Sequence, residues 1–190
     1  AETLEYRDHM RANMTIPWQV VPGNHDSPDV FLRHIGTLNW WWDVGGYRLI
    51  GIDSEAINRY PYEPQAMYAL DAALTLEKPC IVFGRFPLDS DGYSPETSRR
   101  LRERFAAYRV VLYVSGHWHA NSFTTDPTTG TRLLVGHWTC GGNYRLIRLA
   151  GNLAPRIRFN KAFHSVWPFM AITPGGSTRQ CVVTRPHKAS

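Results

Sequence analysis

The sequence predicts a mixed α+β or α/β fold in which two β-sheets form a sandwich with helices on the outside. Up to residue 119, apolar runs of strand length alternate with helical segments, a pattern typical of α/β proteins. Beyond that point, short strand-like runs follow one another without helices, which favours antiparallel pairing. The chain has 190 residues, 43% of them hydrophobic, so it is long and apolar enough to bury one core.

The first part of the chain predicts a helix, a strand and a second helix. Charged residues surround a few apolar ones over residues 1–13, which indicates a helix. Residues 17–21 are an apolar run before Pro22-Gly23 and predict a strand that leads into a tight turn. Ser27-Pro28 then offers an N-cap and an early helical proline for a short helix to about residue 35.

Glycine and proline separate the elements of the central region. Gly45-Gly46 lies between two strand-like runs and predicts a hairpin. Two continuous apolar runs predict strands that are buried on both faces, and two amphipathic segments predict helices between them. The predicted bounds are 39–44 and 47–53 for the hairpin, 79–83 and 109–114 for the buried strands, and 63–76 and 95–108 for the helices. The Trp40-Trp41-Trp42 run is predicted to pack between sheets on alternate faces.

The last third predicts only strands. Residues 122–125, 132–135, 144–149 and 155–159 read as successive antiparallel strands. We predict one domain over residues 1–164 and the start of a C-terminal β-module over residues 165–190. No apolar stretch approaches the roughly 20 residues of a transmembrane helix, so no membrane span is predicted.

Charge is unevenly distributed along the chain. The net charge is +5, the last carboxylate is Asp126, and nine Lys or Arg follow it. Either an acidic partner or a set of solvated strand faces explains this imbalance. Nucleic-acid binding through the basic C-terminal third is one interpretation, but no nucleic-acid-binding motif supports it.

Two short motifs carry the chemistry of the sequence. Gly23-Asn24-His25-Asp26 and Gly116-His117-Trp118-His119 each follow a strand-like run and read as turns. Both contain imidazole, and the first adds an amide oxygen. Such donors at the rim of a sheet are typical of sites that hold divalent metals over a phosphate.

These motifs make the sequence resemble the calcineurin-like metallophosphoesterases. Further landmarks of the resemblance are the strand end at Asp53, the helix around residues 65–74 and Phe86-Pro87-Leu88. The resemblance runs over about residues 1–160 and implies a four-layer α/β/β/α fold. It also implies two divalent metal ions (Mn, Fe, Zn or Mg) and hydrolysis of a phosphate mono- or diester by a metal-activated water.

The resemblance also implies roles for individual residues. Asn24 and His117 would bind the second metal, and His119 would bind the first. His25 would not be a ligand but would protonate the leaving oxygen. His137 is a candidate substrate contact near the same rim.

Supporting roles are expected for two carboxylates. Asp53 is expected to hold the strand end near the site. Asp26 is either a helix N-cap or, as we favour, a residue that orients the metal-binding side chains without binding the metal itself.

The chain departs from the family pattern in two ways. It contains neither an Asp-x-His nor a Gly-Asp-x-x-Asp motif, so the first βαβ portion of the fold is expected to be absent. Arg85 stands where the family has a histidine ligand. An arginine does not bind a cation as a ligand but grips phosphate with two hydrogen bonds, so Arg85 is either a phosphate contact or a solvent-facing loop cation.

These departures leave alternative functions open. With no carboxylate ligand, the dimetal site is expected to be incomplete and metal binding weak. The first hypothesis is therefore a metal-dependent phosphoesterase that is impaired or inactive in this chain. The second is a non-catalytic relative that binds phosphorylated ligands through Arg85, His25 and the histidine pair.

The sequence also suggests how the chain associates and where it is located. An uncovered sheet edge would favour self-association into a homo-oligomer. Residues from 167 onward loosely resemble the start of an immunoglobulin-like module found on exported relatives, which favours an exported or periplasmic protein.

Overall fold

The computed structural model describes residues 2–15, 17–58, 63–136, 143–150, 153–161 and 170–173. The helices in these residues are α1 Glu2–Asn13, α2 Pro28–His34, α3 Ser54–Ile57, α4 Glu63–Ala73 and α5 Pro95–Ala107. The strands are β1 Trp40–Val44, β2 Tyr47–Gly51, β3 Cys80–Phe83, β4 Val110–Ser115, β5 Ser122–Thr125, β6 Arg132–Val135, β7 Asn143–Ala150, β8 Leu153–Lys161 and β9 Met170–Thr173.

A six-stranded sheet with the order β1-β2-β3-β4-β6-β5 organises the chain. The strands β2, β3, β4 and β6 run parallel, and β1 and β5 pair antiparallel at the two edges. The predicted mixed α/β fold is therefore confirmed. Because the carboxyl ends of parallel strands lie at one edge of a sheet, the loops after β2, β3 and β4 meet there.

The C-terminal strands pair differently from the prediction in one respect. β5 and β6 are antiparallel, as are β7 and β8, which agrees with the predicted hairpins. The four strands do not form one antiparallel series, however. β6 pairs with β4 in parallel, and β7 belongs to a second sheet of order β8-β7-β9. Sequence alternation identifies such strands but does not tell which neighbour each one selects.

The second sheet contacts the first through a shared apolar cluster. Ile147 of β7 is buried together with Leu112 of β4 and Leu134 of β6. The complete two-sheet sandwich stays a prediction, as does the domain boundary near residue 164.

The predicted strand over residues 17–21 is wrong. These residues form no strand, and Pro17 and Pro22 at its ends have no N–H to give to a ladder. The carbonyl of Val20 instead accepts a hydrogen bond from the indole Nε1 of Trp40, at 2.7 Å. This side-chain contact holds the segment beside β1 without strand pairing.

The hairpin of β1 and β2 confirms the prediction from Gly45-Gly46. Gly45 has a φ of 57° and Gly46 a φ of 81°, and a type I′ turn requires positive φ at both positions. The predicted alternation of the tryptophans is partly seen. Trp40 stacks on Phe83 at 5.9 Å between ring centroids, whereas Trp41 is 49% exposed beneath the Arg48 guanidinium.

The core lies on both faces of the central strand β3. Every residue of β3 is buried, as its continuous apolar run predicted. Cys80 and Val82 belong to the cluster that α4 and α5 cover, and Ile81 and Phe83 belong to the cluster on the opposite face. Burying each large apolar side chain stabilises the fold by about 1.5–3 kcal/mol, so the two clusters fix the position of the β3 carboxyl end.

Helix α5 forms for the reasons that the sequence indicated. The side chain of its N-cap Ser94 accepts a hydrogen bond from the Thr97 amide at 3.0 Å, and Pro95 follows at the first helical position. Leu101 and Phe105 are buried against the sheet. In the described residues, no helix is both long enough and apolar enough to cross a bilayer.

Candidate functional site

A tight turn places the first motif at the rim of the parallel strands. The Asp26 amide donates to the Gly23 carbonyl at 3.1 Å, and the Gly23 amide donates to Asp26 Oδ2 at 2.7 Å. Asp26 therefore closes the turn with its side chain, while Ser27 takes the N-cap position of α2. Within this turn Asn24 is half-buried and His25 is exposed.

The second motif leaves β4 in a left-handed conformation. His117 has a φ of 68° and His119 a φ of 53°, values that residues other than glycine seldom adopt. Each such residue costs of order 1–3 kcal/mol, and conformations of this kind concentrate at functional sites. The Trp118 amide donates to the Gly116 carbonyl at 2.9 Å and tightens the turn between the two histidines.

His117 is partly buried beneath the rim. Its ring packs edge-on against Phe86 at 4.8 Å between centroids, and its Nε2 lies 3.7 Å from Asp91 Oδ1. Its Nδ1 is buried and has no hydrogen-bond partner among the described residues. Burial and the nearby charge of Arg85 lower the pKa of His117, so the imidazole is neutral at neutral pH.

Arg85 lies between the two motifs and contacts both. Its Nε donates to Asn24 Oδ1 at 2.9 Å, and its carbonyl accepts from the Gly116 amide at 3.0 Å. Its own amide donates to Ser54 Oγ at 2.7 Å, which fixes the backbone after β3. Burial lowers the pKa of Arg85, but a guanidinium remains protonated in proteins.

Asp53 supports the rim from the end of β2. Its buried carboxylate caps α3 by accepting hydrogen bonds from the Glu55 and Ala56 amides, at 3.1 and 3.2 Å. Its amide donates to Asn39 Oδ1 at 2.8 Å. These hydrogen bonds join the end of β2 to the first turn of α3 and to Asn39.

A buried pair of tyrosine hydroxyls close to the Arg85 backbone was not predicted from the sequence. The Tyr113 hydroxyl donates to the Phe86 carbonyl at 2.6 Å and lies 3.1 Å from the Tyr93 hydroxyl. Burial raises the pKa of Tyr93 to about 12, so both phenols stay protonated. A tyrosine within the apolar run of β4 was the available indication, because a buried hydroxyl needs a partner.

The structure brings most of the predicted site residues to one rim. Asn24 and Arg85 are in direct contact, His117 adjoins Arg85 through Gly116, and His25 and His119 are exposed in the same turns. His137 lies outside the described residues. The roles assigned to these residues stay predictions.

Comparison with known proteins identifies the family of this fold and rim. The sequence model of the calcineurin-like phosphoesterases matches residues 1–121. The chain belongs to the calcineurin-like phosphoesterase family. No curated protein sequence matches the chain.

Two solved structures are similar to this calcineurin-like phosphoesterase chain. A dimetal phosphatase from Danio rerio has a TM-score of 0.49 and 14% identity, covering 62% of this chain and 59% of its own. GAP50, the anchor in the inner membrane complex of Plasmodium, has a TM-score of 0.51 and 18% identity, covering 64% of this chain and 49% of its own. The chain spans about half to three-fifths of the length of these structures.

The calcineurin-like phosphoesterase family implies divalent metals, but the donors described in this chain do not fit a two-metal centre. Asn24 Oδ1 already accepts a hydrogen bond from a guanidinium, so a cation bound to this oxygen would lie beside a positive charge. Among the described residues, no group of three or more His, Cys, Asp or Glu side chains could hold a metal ion. Divalent cations such as Mg²⁺ and Mn²⁺ need oxygen-rich, charge-neutralising sites, and here the Arg85 guanidinium lies directly against the Asn24 oxygen.

Proposed function

We propose that this chain carries the phosphate-recognising part of a phosphoesterase site that acts on phosphate monoesters or diesters. We further propose that this chain hydrolyses these esters slowly. The observation that carries the proposal is the contact of Arg85 with both motif turns at the rim of the parallel strands. It supports a single site built from residues that are far apart in sequence.

The chemistry of the rim suits a phosphate group. Arg85 provides a planar cation whose fork matches two phosphate oxygens. The exposed imidazole of His25 lies in the turn next to the amide of Asn24, from which it can give a proton to a leaving oxygen. His119 adds a second exposed imidazole from the opposite turn.

Slow hydrolysis follows from the donor set. Hydrolysis in this family needs a water whose pKa is lowered by bound metal. The described residues lack a carboxylate-bearing metal cluster, and Arg85 occupies the oxygen of Asn24. Proton transfer by one histidine contributes only about 10²–10⁴-fold to a rate, too little to replace that activation.

Binding and turnover together test the proposal. Calorimetry with phenyl phosphate and diphenyl phosphate, each with and without Mn²⁺, is expected to show saturable binding, whereas benzyl alcohol is expected not to bind. The corresponding nitrophenyl esters are expected to be hydrolysed at close to their rate in buffer. The absence of binding to any phosphate ester under either condition would refute the proposed recognition. Turnover of about 1 s⁻¹ or faster, the range of ordinary enzymes, would refute the slow hydrolysis.

A further inference from the structure

We propose that the Arg85 guanidinium serves as the phosphate-binding cation of this rim in place of a metal ion. The chain would then bind phosphate-type oxyanions without any divalent metal. This inference rests on the proposed function, because it concerns how the same rim holds the phosphate group. Beyond the proposed function, the inference states which cation binds the phosphate and that no metal ion is needed for binding.

The side chain of Arg85 passes between Gly23 and Gly116, one in each motif turn. A Cβ added at Gly23 would lie 3.8 Å from both Cδ and Nε of Arg85. A Cβ added at Gly116 would lie 3.4 Å from Nη1. The guanidinium is therefore held between the turn of Asn24-His25 and the turn of His117-His119, the position from which a cation reaches a phosphate bound by both turns.

One nitrogen of the guanidinium fixes its orientation, and the others remain available. Nε is used in the hydrogen bond to Asn24 Oδ1. Within the described residues, neither Nη1 nor Nη2 has a hydrogen-bond partner. Arg85 is half-buried, and a ligand with two oxygens in one plane would satisfy both of these donors.

The same contact works against a metal ion. Asn24 Oδ1 is the oxygen that a metal would need, and Arg85 Nε occupies it at 2.9 Å. A dication at that place would share this oxygen with the guanidinium and would be repelled by its charge. Burial lowers the pKa of Arg85, and Asp26 and Glu55 partly offset this, but a guanidinium stays protonated in proteins, so the positive charge stays at the rim.

The test measures phosphate binding without metal. Inorganic phosphate is titrated in EDTA into the unchanged chain, Arg85→Gln, Arg85→Lys and the control Arg99→Gln. The control removes the same charge from an exposed position on α5, where Arg99 pairs only with Glu96 and Glu103 in the described structure. Circular dichroism establishes that each variant is folded.

The unchanged chain and Arg99→Gln are expected to bind phosphate with dissociation constants within about twofold of each other, because an exposed ion pair contributes little. Arg85→Gln is expected to bind at least about tenfold more weakly, a loss of about 1.4 kcal/mol. Arg85→Lys is expected to lose part of the affinity, because an ammonium has the charge but not the planar fork. Should Arg85→Gln fail to fold, Arg85→Lys decides the question.

The outcomes separate this inference from the function on which it rests. Equal affinity in the unchanged chain and the folded Arg85 variants would overturn the inference. Phosphate binding that appears only with Mn²⁺ would also overturn it but would leave phosphate recognition intact. If neither inorganic phosphate nor phosphate esters bind with or without Mn²⁺, the proposed function itself fails.

Discussion

Replacing Gly84 with alanine is expected to cause the largest loss of stability at the rim, about 2–4 kcal/mol in the free energy of unfolding. The new Cβ would lie 2.5 Å from the Tyr113 hydroxyl oxygen and 2.7 Å from Ser54 Oγ. Both side chains are fully buried and have little room to move. The alanine would therefore overpack the site and disturb the hydrogen bonds that these hydroxyls make.

The same substitution is expected to weaken phosphate binding, because Ser54 Oγ accepts the Arg85 amide hydrogen bond and so positions the guanidinium. Urea denaturation and phosphate titration measure the two effects. Gly36→Ala is the matched control, since nothing lies within 4 Å of the Cβ that it would add. Equal unfolding free energies for Gly84→Ala and Gly36→Ala would show that a Cβ at position 84 does not overpack the site.

Replacing Asp126 with asparagine is expected to lower the free energy of unfolding by about 2–3 kcal/mol at pH 7. The carboxylate is 1% exposed and accepts four hydrogen bonds. Oδ2 accepts from Arg102 Nε at 2.7 Å. Oδ1 accepts from the Thr128 amide at 3.0 Å and from the Thr129 amide and hydroxyl at 2.9 and 3.1 Å. Arg102 also pairs with Asp89, so the remaining guanidinium keeps one partner and the cost is below that of a fully buried broken pair.

The cost of Asp126→Asn is expected to depend on pH in a defined direction. Burial alone would raise the pKa of Asp126, but the hydrogen bonds from Arg102 and Thr129 outweigh burial and lower it from its ordinary value of 3.8. A carboxyl whose pKa is lower in the folded state stabilises the fold above that ordinary value and loses the effect as the pH falls through the folded pKa. The difference in unfolding free energy between the unchanged chain and Asp126→Asn should therefore shrink below about pH 4. If this difference in unfolding free energy stays constant or grows as the pH falls from 7 to 2.5, the Asp126 carboxylate does not stabilise the fold through a lowered pKa.

Local patterns predicted the elements whose neighbours along the chain determine them. Gly45-Gly46 predicted the hairpin, Ser94-Pro95 predicted the start of α5, and the apolar runs predicted β3 and β4. The run at residues 17–21 had the right composition for a strand but its boundary prolines leave few donors for a ladder. Strand pairing depends on partners elsewhere in the chain, which is also why the parallel pairing of β4 with β6 could not be predicted.

The candidate site was predictable as a set of residues but not as an arrangement. The two motifs and Arg85 could be identified from residue type and position. The hydrogen bond between Arg85 and Asn24 joins residues that are 61 positions apart, and no local pattern indicates it. The left-handed conformation of His117 and His119 and the hydroxyl cluster of Tyr93 and Tyr113 likewise depend on tertiary packing.

A calorimetric titration of the unchanged chain with Mn²⁺ in metal-free buffer tests most directly whether Arg85 excludes metal ions from the rim. In the proposed site, a fixed guanidinium rather than a pair of metal ions lies between the two motif turns. We expect no saturable binding in the micromolar range, because Arg85 contacts the oxygen of Asn24 and the described residues contain no group of three or more His, Cys, Asp or Glu side chains that could hold a metal ion. A micromolar isotherm with two sites would contradict it.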